Sequence, residues 1–382
     1  MVQATEDLFK QCLGEHYNFI IRPQWSYNYG IVGEFVEHFR GAIQSLEWIP
    51  LDEWESIAGC DPDTRIYCIS FPRLERLNCL SHAAWGHEVG HVIAHEWLAE
   101  RFEPLWKKEE PRIREEITKS VEKSSEVVSS LFRKTYMEEI VASQCDRTME
   151  VARQGLEELL CDAVGVYLLG PAAVASLVEF SAGLGLDESP LDFGYYPAWR
   201  YRLRLVADAC KEDLEGKHAN AEAGKYPGPT LAPFIDWLND ALAVVDDTRD
   251  RAVLRRHVTT REAYALIEKN WGRISKDVMD RLAASPVKPY ELSRRVPIIE
   301  ALVGRLEVDV PPNEPCSFGP PASYQDILTA GWVFKIKSMR DDGKWANADS
   351  YEKLFRLVLK AIESAFVQER YGPILANESE EE

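Results

Sequence analysis

Positive charge is scarce in this chain. Against 63 Asp and Glu it carries 44 Lys and Arg, a formal net charge of −19 over 382 residues. Sequence-independent nucleic-acid binding needs clustered cations to replace phosphate counterions, so the balance argues against that class. Docking on anionic membranes is disfavoured for the same reason. Long apolar runs are missing as well. The longest weakly charged stretch, AVGVYLLGPAAVASLV at 163–178, falls short of the roughly 20 residues a bilayer span needs and contains Gly170-Pro171. It reads as a buried helix, and no membrane span is expected. The opening MVQATEDLFKQCLGEHY has early acidic residues and no apolar run behind a basic start, so it does not read as an export signal. The eight cysteines (12, 60, 68, 79, 145, 161, 210, 316) form no CxxC pair and no framework spacing. They are expected to be reduced thiols of a cytoplasmic protein. Internal repeats are also lacking.

What is present is core-forming material. Hydrophobic residues make up 46% of the chain, with 11 tryptophans, enough to exclude a disordered protein. Periodicity predicts a mainly α protein with a small β-sheet, an α+β class. Residues 1–64 read as an N-terminal helical region, with Val32, Phe35, Val36, Phe39 and Ile43 on one face of a helix over 31–46. RIYCISF (65–71) is β-branched and aromatic, a strand ended by Pro72 that offers an edge for an extended peptide. An apolar helix follows, starting near Asn78 or Ser81. The charged run 107–155 predicts one or two solvated helices laced with Glu–Lys pairs. LEELLCDAVGVYLLG then returns to the core. Past the Gly/Pro-punctuated 181–199 and the helix RYRLRLVADACKED, residues 216–230 read as a linker. A helical C-terminal region (216–375) follows, and then a disordered acidic tail (376–382).

The chemistry is concentrated in HEVGH, residues 87–91. Residues four apart share a helix face, so His87 and His91 can aim imidazole nitrogens at one ion. Glu88 projects beside them, poorly placed to ligate but well placed to take a proton from a water on that ion. The flanking AAWGHEVGHVIA has no charge except Glu88. A catalytic zinc typically takes three protein ligands and leaves one position open. Ala94 and Trp97 stand where a metzincin would continue with Gly and a third His. GLEELLCDAVG instead offers Glu158 and Asp162 one turn apart. Glu158 is the candidate third ligand, its face continued by Asp162, Gly165 and Leu169, while Glu157 is the competing register. Asp162 is the candidate partner for the N–H of a ligand imidazole. His95, one turn beyond His91, would close the open position as a fourth ligand, so it and His82 are assigned to packing or to the substrate side.

HExxH followed, after a charged helical insert, by ExxxD on a second helix resembles the gluzincin metallopeptidases. It is most similar to the branch with a Glu-x-x-Ala-Asp motif, seen in CAAX-type and heat-shock membrane proteases and their small soluble relatives. Cys161 stands here in place of that alanine. The resemblance covers roughly 65–210 and implies a zincin-like catalytic core at 65–215 with an additional helical C-terminal region. It implies Zn²⁺ held by His87, His91 and Glu158, with a peptide or protein as substrate. The branch also carries a His-Pro and then an arginine; YYPAWRYRLRL (195–205) places Tyr196 at the histidine position and Arg200 or Arg202 at the arginine. Tyr196 and Arg200 are the residues expected to help bind the developing oxyanion. The expected function is a soluble zinc metallopeptidase. The alternatives are an inactive zinc-containing sensor or scaffold with a peptidase-like fold, and a zinc amidase acting on a non-peptide amide.

Overall fold

In the computed structural model, residues 1–25, 29–32, 65–124, 133–182, 197–216, 230–245, 257–316, 320–340 and 348–380 are described. The chain is mainly helical with one three-stranded sheet among these residues. Helix α1 (Val2–Leu13) leads into β1 (Tyr17–Gln24) and the short β2 (Gly30–Val32). Strand β3 (Arg65–Pro72) lies where the apolar run predicts it. The N-terminal region is therefore not purely helical. Its two strands flank β3 in the order β1-β3-β2, so the boundary expected at residue 64 falls inside a sheet.

The register settles the role of β3. β1 pairs with it in parallel along its whole length, from Tyr17↔Arg65 to Gln24↔Pro72. β2 pairs antiparallel across Cys68–Ser70 on the other side. β3 is central, and the edge expected of it is occupied there. Pro23, which has no N–H to give a ladder, is tolerated because β1 is an edge strand among the described residues.

After two short 3₁₀ turns, Arg73–Glu75 and Ser81–Ala84, comes α2 (Trp85–Ser124), a single helix of 40 residues. α3 (Arg133–Leu169) is its antiparallel partner. The direction follows from the contacts: Gly86 meets Gly165 and Gly90 meets Cys161, so rising numbers on one helix face falling numbers on the other. A Cβ on Gly90 would lie 2.5 Å from the Cys161 Cα, and only glycine lets the two backbones come this close. The described parts of the charged run 107–155 are thus the outer half of a helix pair. One face of it is buried through Ile113, Ile117, Val121, Val141, Cys145 and Val151.

α3 ends at Gly170, whose φ of 56° is the left-handed C-terminal cap geometry. Tyr290 presses on it so closely that a Cβ would meet the ring at 2.2 Å. Next come α4 (Pro171–Ala182), α5 (Trp199–Gly216), α6 (Ala232–Val245) and α7 (Val258–Ala283). The chain continues through α8 (Leu292–Glu307), α9 (Tyr324–Arg340) and α10 (Ala348–Glu380). α7 lies along both α3 and α2, fixed by Trp97 Nε1 donating to Asp277 at 2.8 Å and by Lys269 on Glu109 at 2.7 Å. α9 reaches back to the foot of α2, where Trp332 Nε1 donates to the Leu80 carbonyl at 3.2 Å. One continuous core runs from Leu8 to Ala365, so the residues after 216 pack as part of the same body. α10 continues to Glu380, into the stretch expected to be a disordered tail. Most of the helix expected over 31–46 and of the linker expected at 216–230 lies outside the described residues. Among the described residues, no helix is long and apolar enough to cross a membrane.

Candidate metal centre

His87 and His91 sit in the first two turns of α2, facing the last third of α3. The close seating at Gly86 and Gly90 brings α3 side chains directly onto the two imidazoles. Each ring is held by a different carboxylate. His87 Nδ1 is 2.8 Å from Asp162 Oδ1, and His91 Nδ1 is 2.8 Å from Glu157 Oε1. An ionised carboxylate only accepts, so each Nδ1 carries a proton, and in a neutral imidazole the Nε2 then keeps its lone pair. Those lone pairs face Glu158. Its Oε2 lies 3.5 Å from His87 Nε2 and its Oε1 lies 3.9 Å from His91 Nε2. Donor atoms around a tetrahedral zinc, with bonds of about 2.0–2.1 Å, stand about 3.4 Å apart. Each Nε2 thus stands at or a little beyond that spacing from a Glu158 oxygen, a different oxygen for each ring.

Beneath them lies Arg202 of α5. Its Nε and Nη2 donate to the two oxygens of Asp162 at 2.7 and 2.8 Å, and its Nη1 is 3.1 Å from Glu158. The Trp199 ring lies 4.4 Å from the same guanidinium. Arg200, the arginine expected here, is also buried, but the guanidinium that reaches the carboxylates belongs to Arg202. Two residues change the helix phase by about 200°, and sequence alone does not say which side of α5 faces the cluster. Tyr196 lies outside the described residues.

The doublet Glu157-Glu158 is used on both sides. Glu158 points inward, 6% exposed, to the Nε2 pair. Glu157 holds the His91 Nδ1 and, through the same oxygen, lies 2.7 Å from His95 Nε2. The two glutamates are thus not alternative registers of one role but carriers of two. The signal for this in the sequence is the ladder His87, His91, His95 at four-residue steps, with more imidazole nitrogens than one carboxylate can hold. His82 is elsewhere, stacked on Trp85 with centroids 4.3 Å apart and hydrogen-bonded to the Glu75 carbonyl at 3.2 Å. Burial pushes its imidazole down to about 3.

Electrostatics test whether a cation fits. Glu88, Glu158 and Asp162 are all at most 6% exposed, and Arg202 is the cation buried among them. With neutral imidazoles this leaves two negative charges in excess, and buried charge without a counterion is costly. A dication matches the surplus. Without one, the cluster responds by gaining protons. Burial alone would lower the His87 imidazole, yet the hydrogen bonds and charges of Asp162 and Glu158 raise it to about 10. Burial likewise raises the Glu88 carboxyl above its usual range. Asp162 also feels burial, but the Arg202 charge and hydrogen bonds hold its carboxyl well below the ordinary value.

Cys161 adds a competing donor. A ligand atom of each of His87, His91 and Cys161 lies within 4.8 Å of the others, and a second group of the same kind is His91, His95 and Glu157. The Cys161 thiol is fully buried, and that burial, with Glu158, Glu157, Asp162 and Glu88 around it, pushes its pKa well up.

No protein-family model, curated protein or solved structure matches this chain.

Proposed function

We propose that the chain is a zinc-dependent peptidase in which His87, His91 and Glu158 hold the metal and Glu88 is the general base. One observation carries this reading: two Nε2 lone pairs and one carboxylate converge while each histidine's other nitrogen is held by its own carboxylate. Such outer partners fix the tautomer and ring orientation that ligation requires. When bound, zinc supplies Lewis acidity, polarising a scissile carbonyl and making an attacking water easier to deprotonate. The Glu88 carboxylate takes the water proton and returns it to the leaving nitrogen. Asp162 and Glu157 keep the Nδ1 protons on His87 and His91. Arg202 is a positioning residue that locks Asp162 and Glu158 in place. The motif pair resembles that of gluzincins, and on that resemblance the two-helix seat of the site is a zincin-like core.

Zinc analysis of the purified protein beside His91→Ala and Glu158→Ala tests the ligand set, with loss of zinc expected in both variants. Glu88→Gln is expected to keep its zinc and lose peptidase activity by about 10²–10⁴-fold. Full activity in zinc-loaded Glu88→Gln would overturn the mechanism.

Cys161 favours a second reading. Were the thiolate to join the three other ligands, the fourth position would close and the ion would be structural, as in a scaffold that does not turn over substrate. Cobalt in place of zinc separates the two readings. A thiolate-to-cobalt charge-transfer band that disappears in Cys161→Ala supports the closed site, and its absence supports the open one.

A further inference from the structure

His95 is the histidine that the reading above leaves unused. It stands one turn beyond His91 on α2, its side chain 61% exposed, with Nε2 2.7 Å from Glu157 Oε1. The same oxygen is 2.8 Å from His91 Nδ1. One carboxylate oxygen thus sits between two imidazole nitrogens, and a ligand atom from each of the three residues lies within 4.8 Å of the others. Among the described residues no lysine or arginine pairs with Glu157.

We propose that His91 Nδ1, Glu157 and His95 form a second, solvent-facing divalent-cation site that shares His91 with the buried centre through the ring's other nitrogen. Two hydrogen bonds to one carboxylate oxygen place two protons where a cation can replace them, since imidazole and carboxylate donors both suit zinc, and imidazole suits copper and nickel too. The donors need only open from 2.7–2.8 Å to the spacing of about 3.4 Å that surrounds a zinc ion. That is a side-chain adjustment at an exposed histidine. Three protein donors on the solvent side make an exchangeable site, weaker than the buried one. Occupancy would take the His91 Nδ1 proton and turn Glu157 from hydrogen-bond acceptor to ligand, so an excess of metal would retune the ring that serves the buried ion. That coupling rests on the proposed peptidase site; the second site itself does not.

The test is zinc binding to the full-length, metal-stripped chain by equilibrium dialysis, with circular dichroism confirming that each variant is folded. The wild-type chain is expected to take a tight equivalent and a weaker one. His95→Ala is expected to keep the tight equivalent and lose the weaker. His87→Ala is expected to do the reverse, which separates this site from the buried centre. A wild-type chain that binds only one equivalent overturns the proposal. So does a weaker equivalent that survives in His95→Ala, or one that vanishes in His87→Ala. If His95→Ala loses the tight equivalent, His95 belongs to the buried centre and the second site is again excluded.

Discussion

Helices α2 and α3 carry charge in two opposite ways along one shared length. On the outer half, Lys107–Glu103, Arg114–Glu110 and Lys119–Glu115 are paired at 2.6, 2.9 and 2.8 Å, with most of these side chains about half exposed or more. On the inner half, Arg202–Asp162 is paired at 2.7 Å with side chains 4% and 0% exposed. The distances are similar and the consequences are not. Water screens the outer pairs, and they contribute little. The inner ones have lost their hydration, so removing either partner strands a charge. Charge density along the sequence points the wrong way. Most pairs in the stretch richest in charge are screened, buried Glu109 with Lys269 being an exception, and the apolar LEELLCDAVG holds the carboxylates whose pairing matters most.

Four measurements bear on that contrast. The largest expected effect is at Arg202→Ala, which leaves Asp162 and Glu158 buried without their cation and should cost about 3–5 kcal/mol in chemical denaturation. Added zinc should restore part of the loss, because a dication replaces the missing charge; no recovery would mean that the ion does not sit among these carboxylates. Gly90→Ala comes next. Its Cβ meets the Cys161 Cα at 2.5 Å, so α2 and α3 must spread, at about 1–3 kcal/mol. Zinc affinity should fall with it, because the histidines and Glu158 lie on opposite helices.

The third is a pH dependence at the foot of α2. The folded chain holds His82 neutral with a pKa of about 3, against 6.5 for the unperturbed side chain. Below 6.5 the unfolded state takes a proton that the folded state refuses, so stability is fully present above 6.5 and lost as pH falls toward 3. His82→Phe should reduce the acid-side slope, and an unchanged slope would place that titration elsewhere. The smallest effect belongs to the outer half. Lys119→Ala removes both of its pairs with Glu115 and Glu116, yet the unfolding midpoint should not move measurably. A clear shift there would break the contrast.

The legible parts of the molecule are those encoded locally. Helical spacing alone puts His87 with His91, and Glu158 with Asp162, on shared helix faces, and RIYCISF declares a strand. What the sequence conceals depends on distant partners. Tyr17–Gln24 carries Arg22, Pro23 and Gln24, a poor strand by itself, and becomes one only by pairing with residues 65–72. Without β1 in view, β3 reads as an edge. Arg202 rather than Arg200 is decided by how α5 is rotated against α3, which packing sets and periodicity does not. Glu157 and Glu158 cannot be told apart by composition. One residue of helical rotation sends one to the outer imidazole face and the other to the inner.

The hydrogen bond from Trp332 to the Leu80 carbonyl has a consequence for how the chain is made. Leu80 lies just ahead of the helix that bears the two histidines, and its partner lies 252 residues later. Contacts of such sequence separation form late, because the intervening chain must first be closed into a loop. During synthesis, residues 87–91 leave the ribosome long before α7 and α9 exist to seat α2. The histidine helix therefore gains α3 first, and its contacts with α7 and the α9 hydrogen bond at its foot only once the distant end has been made.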